Sequence, residues 1–173
     1  MSTLPLSPRT PEAEAAQYLT FFLGEEEYGV SLLRVREIIQ YDTITRVPRT
    51  PTFIRGVINL RGTVVPVVDL GHKFGRPATT ATRSTCIVIV EPVVDGERTV
   101  MGVLADQVSQ VIELAAADVA APPSFGAPVH VDYLVGMGTV GRRFVLLLDI
   151  DRILSDQEMR TTAEVSEAAP AAS

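Results

Sequence analysis

The sequence contains little of what disulfide frameworks and zinc sites are made from. Its 173 residues include one cysteine, Cys86, and two histidines, His72 and His130. One cysteine cannot form a disulfide within the chain, and a zinc site would need carboxylate ligands at spacings that the sequence does not mark. Cys86 lies in the apolar run CIVIV, which is typical of a buried, unreactive thiol. The sequence therefore predicts no metal site and no cofactor.

Long apolar runs and basic stretches are also missing. No apolar run approaches the roughly 20 residues that span a bilayer, and MSTLPLSPRTPEAEAAQ at the N-terminus lacks the apolar segment of a secretory signal. The net charge of −6 and the 6% aromatic content, with no tryptophan, disfavour nucleic-acid binding, which needs basic surfaces and stacking side chains. We expect a cytoplasmic protein that does not bind nucleic acid.

Both ends of the chain have the composition of disordered segments. Residues 1–16 are rich in Pro, Ala, Ser and Glu, and TTAEVSEAAPAAS at the C-terminus has a similar composition. Such segments bury too little apolar surface to offset the entropy of ordering. We predict a disordered arm over residues 1–16, and the end of a short helix followed by a disordered tail over residues 156–173.

Residue types common in catalytic sites occur without the context that catalysis needs. No nucleophile elbow is present, and NLRG (59–62) lacks the further glycine and the lysine of a phosphate-binding loop. Asp69 and Asp149 each follow an apolar strand and precede a helical pattern. An aspartate in that position accepts hydrogen bonds from the first free N–H groups of a helix. We interpret both as helix caps and predict no enzymatic activity.

Short runs of β-branched, leucine and aromatic residues predict an all-β fold. The runs are YLTFFL, TVVPVV, CIVIVEPVV, TVMGVLAD and RFVLLLD, and GEEEYG and VDGERT have the composition of hairpin turns. Short strands at this spacing favour small closed barrels over βαβ units.

The sequence also aligns with itself. YGVSLLRVREII (28–39) aligns with MGVLADQVSQVI (101–112), an offset of 73 residues from 28 to 101. FIRGVINLRGTVVPVVDLGHKF (53–74) aligns with YLVGMGTVGRRFVLLLDIDRIL (133–154), an offset of 80 residues from 53 to 133. An internal repeat of this kind indicates two copies of one structural unit.

The repeat predicts two related barrels, a first over residues 17–83 and a second over residues 84–155. Each half would end in a short helix after its last strand. A unit of roughly 70 residues is small for a core of its own. We therefore expect the two barrels to pack side by side and to fold together.

Arg61 and Glu37 form a candidate ion pair that only one half of the repeat contains. Arg61 lies in a predicted hairpin turn beside Gly62, and a carboxylate at Glu37 can bind its guanidinium with two hydrogen bonds. The repeat places Gly141 and Gln110 at the equivalent positions. Because both partners are missing together from a unit that is expected to fold, a binding surface is favoured over a structural ion pair.

Two further sets of apolar residues have two interpretations each. Phe125 lies between prolines and glycine in PPSFGAP, where it either packs on the core or forms an aromatic anchor for a partner. Val35, Val108 and Val111 lie in corresponding segments of the two halves. They either pack in the core or line an apolar groove between the barrels.

Four stretches together resemble one known family: YLTFFLGEEEYGVSLLRVREIIQYDTITRVP, TPTFIRGVINLRGTVVPVVDL, GVLADQVSQVIEL and DYLVGMGTVGRRFVLLLDIDRIL. The family is that of the CheW-like domains, the coupling proteins of bacterial chemotaxis. The resemblance covers roughly residues 17–159, and FIRGVINLRGTVVPVVDL is its most specific part.

The resemblance implies two SH3-like five-stranded β-barrels and a non-enzymatic adaptor. Such an adaptor couples the cytoplasmic tips of chemoreceptors to the histidine kinase CheA in signalling arrays, so it reaches the membrane only through the receptors. The kinase's regulatory domain is expected to contact Phe125, Tyr41 and Ile44. The receptor tip is expected to bind in a groove between the barrels, at Val35, Glu37, Gly56, Arg61, Gly62, Gly102, Val108, Val111 and Gly136.

Two alternatives remain open at the level of the sequence. The first is a CheW-like adaptor of a non-flagellar kinase pathway, such as surface motility or development. The second is a small-ligand-binding β-barrel protein or enzyme, which would need a pocket with converging polar groups.

Overall fold

The computed structural model describes residues 15–121 and 133–154. The predicted N-terminal arm up to residue 14, the loop with Phe125 and His130, and the predicted C-terminal tail lie outside the described residues. The described residues form thirteen strands and two short α-helices: β1 (Ala16–Leu23), β2 (Glu26–Ser31), β3 (Val35–Gln40), β4 (Ile54–Leu60), β5 (Thr63–Val68), α1 (Leu70–Lys73), β6 (Cys86–Val90), β7 (Val93–Val94), β8 (Glu97–Arg98), β9 (Met101–Ala105), β10 (Gln107–Leu114), β11 (Val119–Ala120), β12 (Leu134–Val140), β13 (Arg143–Leu148) and α2 (Ile150–Ile153).

The strands form two main sheets, which confirms the predicted all-β fold. The larger sheet has the order β10-β1-β2-β13-β12-β11, and the smaller has the order β3-β6-β9-β5-β4. The sixth strand of the larger sheet is the two-residue β11, which pairs with β12. Each sheet contains one parallel pair, β2 with β13 and β5 with β9, and these pairs occupy equivalent positions in the repeat.

The two halves of the repeat exchange strands. β1 and β2 precede residue 83 but pair within the larger sheet, whereas β6 and β9 follow residue 83 and pair within the smaller one. The predicted boundary between residues 17–83 and 84–155 therefore does not separate the two sheets. The physical reason is that self-alignment identifies equivalent strands but carries no information about which copy each strand pairs with.

Strand alternation joins the two sheets through one shared core. In β6, Val88 and Val90 pack in a cluster that both sheets contribute to, whereas Ile87 and Ile89 pack in a cluster inside the smaller sheet. β13 alternates in the same way between the shared cluster and a third cluster inside the larger sheet. Because successive side chains of a strand point to opposite faces, these central strands are apolar and buried on both sides.

Both predicted helix caps are confirmed. The Asp69 carboxylate accepts a hydrogen bond from the His72 N–H at 3.2 Å, and Asp149 accepts one from the Arg152 N–H at 3.2 Å. The two aspartates directly follow the two equivalent strands, β5 and β13. These contacts explain both carboxylates as structural groups.

Cys86 is less buried than the sequence predicts. It is the first residue of β6 and is only partly buried, and its thiol donates to the Ser84 carbonyl at 3.3 Å. The apolar run in which it lies becomes fully buried one residue later.

Candidate functional site

The hairpin between β4 and β5 fixes the direction of Arg61. Arg61 and Gly62 have φ angles of 51° and 88°, and both lie between the paired residues Leu60 and Thr63. Two positive φ angles are the signature of a two-residue type I′ turn. The Asn59 side-chain oxygen accepts a hydrogen bond from the Gly62 N–H at 2.8 Å, which stabilises this turn.

The Arg61 guanidinium binds the Glu37 carboxylate through two hydrogen bonds, as predicted. Nη1 donates to Oε1 at 3.2 Å, and Nη2 donates to Oε2. Glu37 is held in β3, opposite Ile89 of β6 and next to a bulge in the pairing. The hydrogen bond from Arg61 lowers the pKa of Glu37, so this carboxylate is charged at neutral pH.

The pair lies on the surface and occurs on one sheet only. The Arg61 side chain is 66% exposed and that of Glu37 is 27% exposed. In the equivalent hairpin of the larger sheet, Gly141 occupies the position of Arg61 and Arg142 is exposed beside it. An ion pair that is exposed in this way is accessible to a partner and adds little to fold stability.

The predicted groove valines lie on both sheets. Val35 begins β3 and Val108 lies in β10, and both are partly buried against the shared core. Val111, three residues further along β10, is exposed. The structure thus brings Val35 and Val108 to one cluster and leaves Val111 available at the surface.

Three predicted groove glycines are required by close packing. A Cβ at Gly56 would collide with the Thr45 backbone carbonyl, and one at Gly102 would lie 2.7 Å from a methyl group of Ile87. A Cβ at Gly136 would lie 2.7 Å from the carbonyl oxygen of Ala120. These glycines therefore shape the backbone around the groove and have no side chain to offer a partner.

We expect Gly56→Ala to destabilise the fold more than Gly62→Ala. Both residues have positive φ, 145° and 88°, but Gly62 faces open space whereas Gly56 faces the Thr45 carbonyl. Backbone strain alone corresponds to about 1 kcal/mol at Gly62, and strain with a steric clash to about 2–3 kcal/mol at Gly56. Urea denaturation of the two variants measures this difference. Equal losses would contradict the packing role assigned to Gly56.

Of the predicted kinase-facing residues, Tyr41 and Ile44 can be placed. Both are partly buried against the cluster inside the smaller sheet, so only part of each side chain is available at the surface. Phe125 lies outside the described residues. Its role as an aromatic anchor stays a prediction.

Sequence reasoning missed a second charged cluster and an apolar surface beside it. Arg34 Nε donates to Asp151 Oδ1 at 2.9 Å and Nη2 donates to Oδ2 at 2.8 Å, while the Val93 N–H donates to Oδ1 at 2.9 Å. Next to this cluster, the side chains of Leu33 and Val135 are exposed. The two charged residues are 117 positions apart, so no local pattern could have paired them.

The Asp151 cluster predicts a pH-dependent contribution to stability. Burial acts to raise the pKa of Asp151, but hydrogen bonds from Arg34 and the Val93 N–H outweigh it, and the pKa lies below its ordinary value of 3.8. A lowered folded-state pKa stabilises the protein above the unfolded-state value, and this stabilisation is lost as the pH falls through the folded-state value. We expect Asp151→Asn to flatten the acid side of the stability profile below about pH 4.

Urea midpoints measured from neutral to acidic pH test this expectation. Glu113→Gln, an exposed carboxylate on β10, is the matched control and should leave the wild-type profile unchanged. An Asp151→Asn profile parallel to that of the wild type would contradict the assignment.

The described residues offer no arrangement that suggests metal chemistry or membrane insertion. No group of three or more His, Cys, Asp or Glu side chains among them is placed to hold a metal ion. None of the helices in this part of the chain has the length and apolar character to cross a membrane.

Comparison with known proteins agrees with the fold and with the motifs around Arg61. The family model of the CheW-like domain matches residues 17–158. The chain belongs to the CheW family. Members of this family are non-enzymatic coupling or scaffolding proteins of chemotaxis, and this chain has that function.

Individual CheW proteins are similar over nearly their whole length. The chain is 39% identical to the chemotaxis protein CheW of Klebsiella aerogenes, over 90% of this chain and 91% of that protein. It is 30% identical to protein FrzA of Myxococcus xanthus, over 88% and 92%. The crystal structure of the scaffolding protein TtCheW from Thermoanaerobacter tengcongensis superposes with a TM-score of 0.73 at 28% identity, covering 84% and 91% of the two chains.

Proposed function

We propose that this CheW-family adaptor couples the cytoplasmic tips of chemoreceptors to the regulatory domain of the histidine kinase CheA. In this role it is a cytoplasmic protein that joins membrane-associated arrays through its partners. The receptor tip binds in the groove that contains Arg61, Glu37 and the exposed Val111. The kinase binds the surface formed by Phe125, Tyr41 and Ile44.

The surface pair between Arg61 and Glu37 is the observation that carries the receptor part of the proposal. A type I′ turn fixes it, it is accessible, and the equivalent hairpin of the other sheet lacks it. A preorganised charged pair beside apolar side chains suits a helical partner with both apolar and charged residues, because little side-chain entropy is lost on binding.

Titration against the kinase regulatory domain from the same organism, followed by a receptor-tip fragment, tests the proposal. We expect a dissociation constant of about 1 μM or tighter for the kinase domain, near −8 kcal/mol, and a ternary complex with the receptor fragment. Binding to the kinase without the receptor would assign the protein to another input pathway. Absence of binding to any kinase regulatory domain of that organism would contradict the coupling role.

Phe125→Ala is expected to weaken kinase binding by about tenfold or more, because an aromatic anchor contributes a large share of interface energy. Phe144→Ala is the matched control, since Phe144 is another exposed phenylalanine, at the start of β13. Isothermal titration of both variants with the regulatory domain measures the effect. Equal affinities for the two variants would exclude Phe125 as the anchor.

A further inference from the structure

The two halves of the repeat treat their helix-capping aspartates differently. In the first half, the chain after α1 turns back over Asp69: the Thr79 N–H and hydroxyl donate to the two carboxylate oxygens at 2.7 and 2.8 Å. Arg55 donates to Asp69 at 3.2 Å and to the Thr79 carbonyl at 2.7 Å. As a result, the Asp69 side chain is completely buried.

In the second half, the equivalent surface is open among the described residues. The Asp149 side chain is 36% exposed, and Val135, at the repeat position of Arg55, is 52% exposed. Leu33, at the repeat position of Asp106, is 85% exposed. The side chains of Leu33, Val135, Asp149 and Asp151 line one cleft. The described chain ends at Leu154, directly after α2 and beside this cleft.

We infer that residues 156–162, DQEMRTT, fold back over this cleft as residues 76–82 do in the first half. The offset of 80 residues places Met159 at the position of Thr79, just as it places Val135 at the position of Arg55. A polar pair in the first half is therefore replaced by an apolar pair in the second. Both members of the pair change character together, as two groups in contact must when the surface between them becomes apolar.

The length of the chain permits this docking. In the first half, five residues from Phe74 to Thr79 are enough to return from the end of α1 to Asp69. Met159 is also five residues beyond Leu154, the equivalent end of α2. The segment covers Leu33 and Val135 and so controls access to the largest exposed apolar side chains on this face.

Register-specific disulfide formation in the full chain tests the inference. In a Cys86→Ser background, Val135→Cys is combined in turn with Glu158→Cys, Met159→Cys or Arg160→Cys. Three adjacent residues of a freely moving tail would cross-link at similar rates, because their loop lengths are nearly equal. Docking in an extended register is expected to favour the Met159 position over both neighbours by about fivefold or more, since adjacent side chains point to opposite faces. A smaller preference would overturn the inference.

Hydrogen exchange in the unmodified protein provides a second readout. Amides of residues 156–162 are expected to exchange about tenfold or more slowly than those of residues 166–173. Val135→Glu should abolish this slowing and leave the core strands protected, whereas Phe144→Glu, on another exposed apolar residue, should preserve it. Equal exchange rates along residues 156–173 of the wild type would refute the docked segment.

Discussion

The Arg61→Glu variant is expected to bind a receptor-tip fragment about tenfold or more weakly than the wild type, because like charges at an interface disfavour association. The reversed charge would face Glu37, which is ionised at neutral pH, and would remove both hydrogen bonds of the pair. The altered surface then presents two carboxylates where the wild type presents a neutral pair. Fluorescence anisotropy of a labelled receptor-tip fragment measures the loss.

The fold itself should survive this substitution. Arg61 is largely exposed and lies in a turn, so circular dichroism and the urea midpoint are expected to stay close to those of the wild type. Arg142→Glu is the matched control, because Arg142 is an exposed arginine in the equivalent hairpin turn of the larger sheet. It should leave receptor binding unchanged.

A charge swap separates the pair from its individual members. Glu37→Arg combined with Arg61→Glu restores opposite charges across the same two positions. Recovery of receptor binding in the double variant would show that the pair acts by orienting the turn and the groove. Persistent loss would show that the partner contacts Arg61 directly. Unfolding of the single variant would instead make the pair a structural ion pair and contradict its place in the groove.

Asp69→Ala is expected to lower the free energy of unfolding by about 3–5 kcal/mol, as removal of one partner of a buried ion pair does. The Asp69 carboxylate is completely buried and accepts hydrogen bonds from Arg55, from His72 and twice from Thr79. Truncation leaves these donors without their acceptor and leaves the Arg55 guanidinium in a partly buried site.

Asp149→Ala is the control that the repeat itself supplies. Asp149 caps α2 in the same way but is partly exposed, so its loss should lower the free energy of unfolding by about 1 kcal/mol, the usual value for a helix cap. Urea denaturation at neutral pH compares the two variants. Losses of equal size would mean that burial and the contacts of Asp69 with Arg55 and Thr79 add nothing to capping.

The sequence predicted the strands, the caps and the Arg61–Glu37 pair because each of these is written in local patterns or in a difference between the two halves. It did not predict the exchange of strands, since equivalent segments carry the same alternation whichever copy they pair with. Leu33 was missed for another reason. It lies in the 3-10 turn Leu32–Arg34, where the alternating burial of a strand does not apply, and its side chain points into solvent.

The exchange of β1, β2, β6 and β9 between the halves has a consequence for how the molecule holds together. It is the arrangement of a domain-swapped dimer whose two subunits have been joined into a single chain. Neither half contains all the strands of one sheet, so neither can fold independently, and both sheets must unfold in one cooperative transition. A fragment covering residues 17–83 would expose strand edges shaped for the missing copy and would satisfy them by pairing with a second fragment.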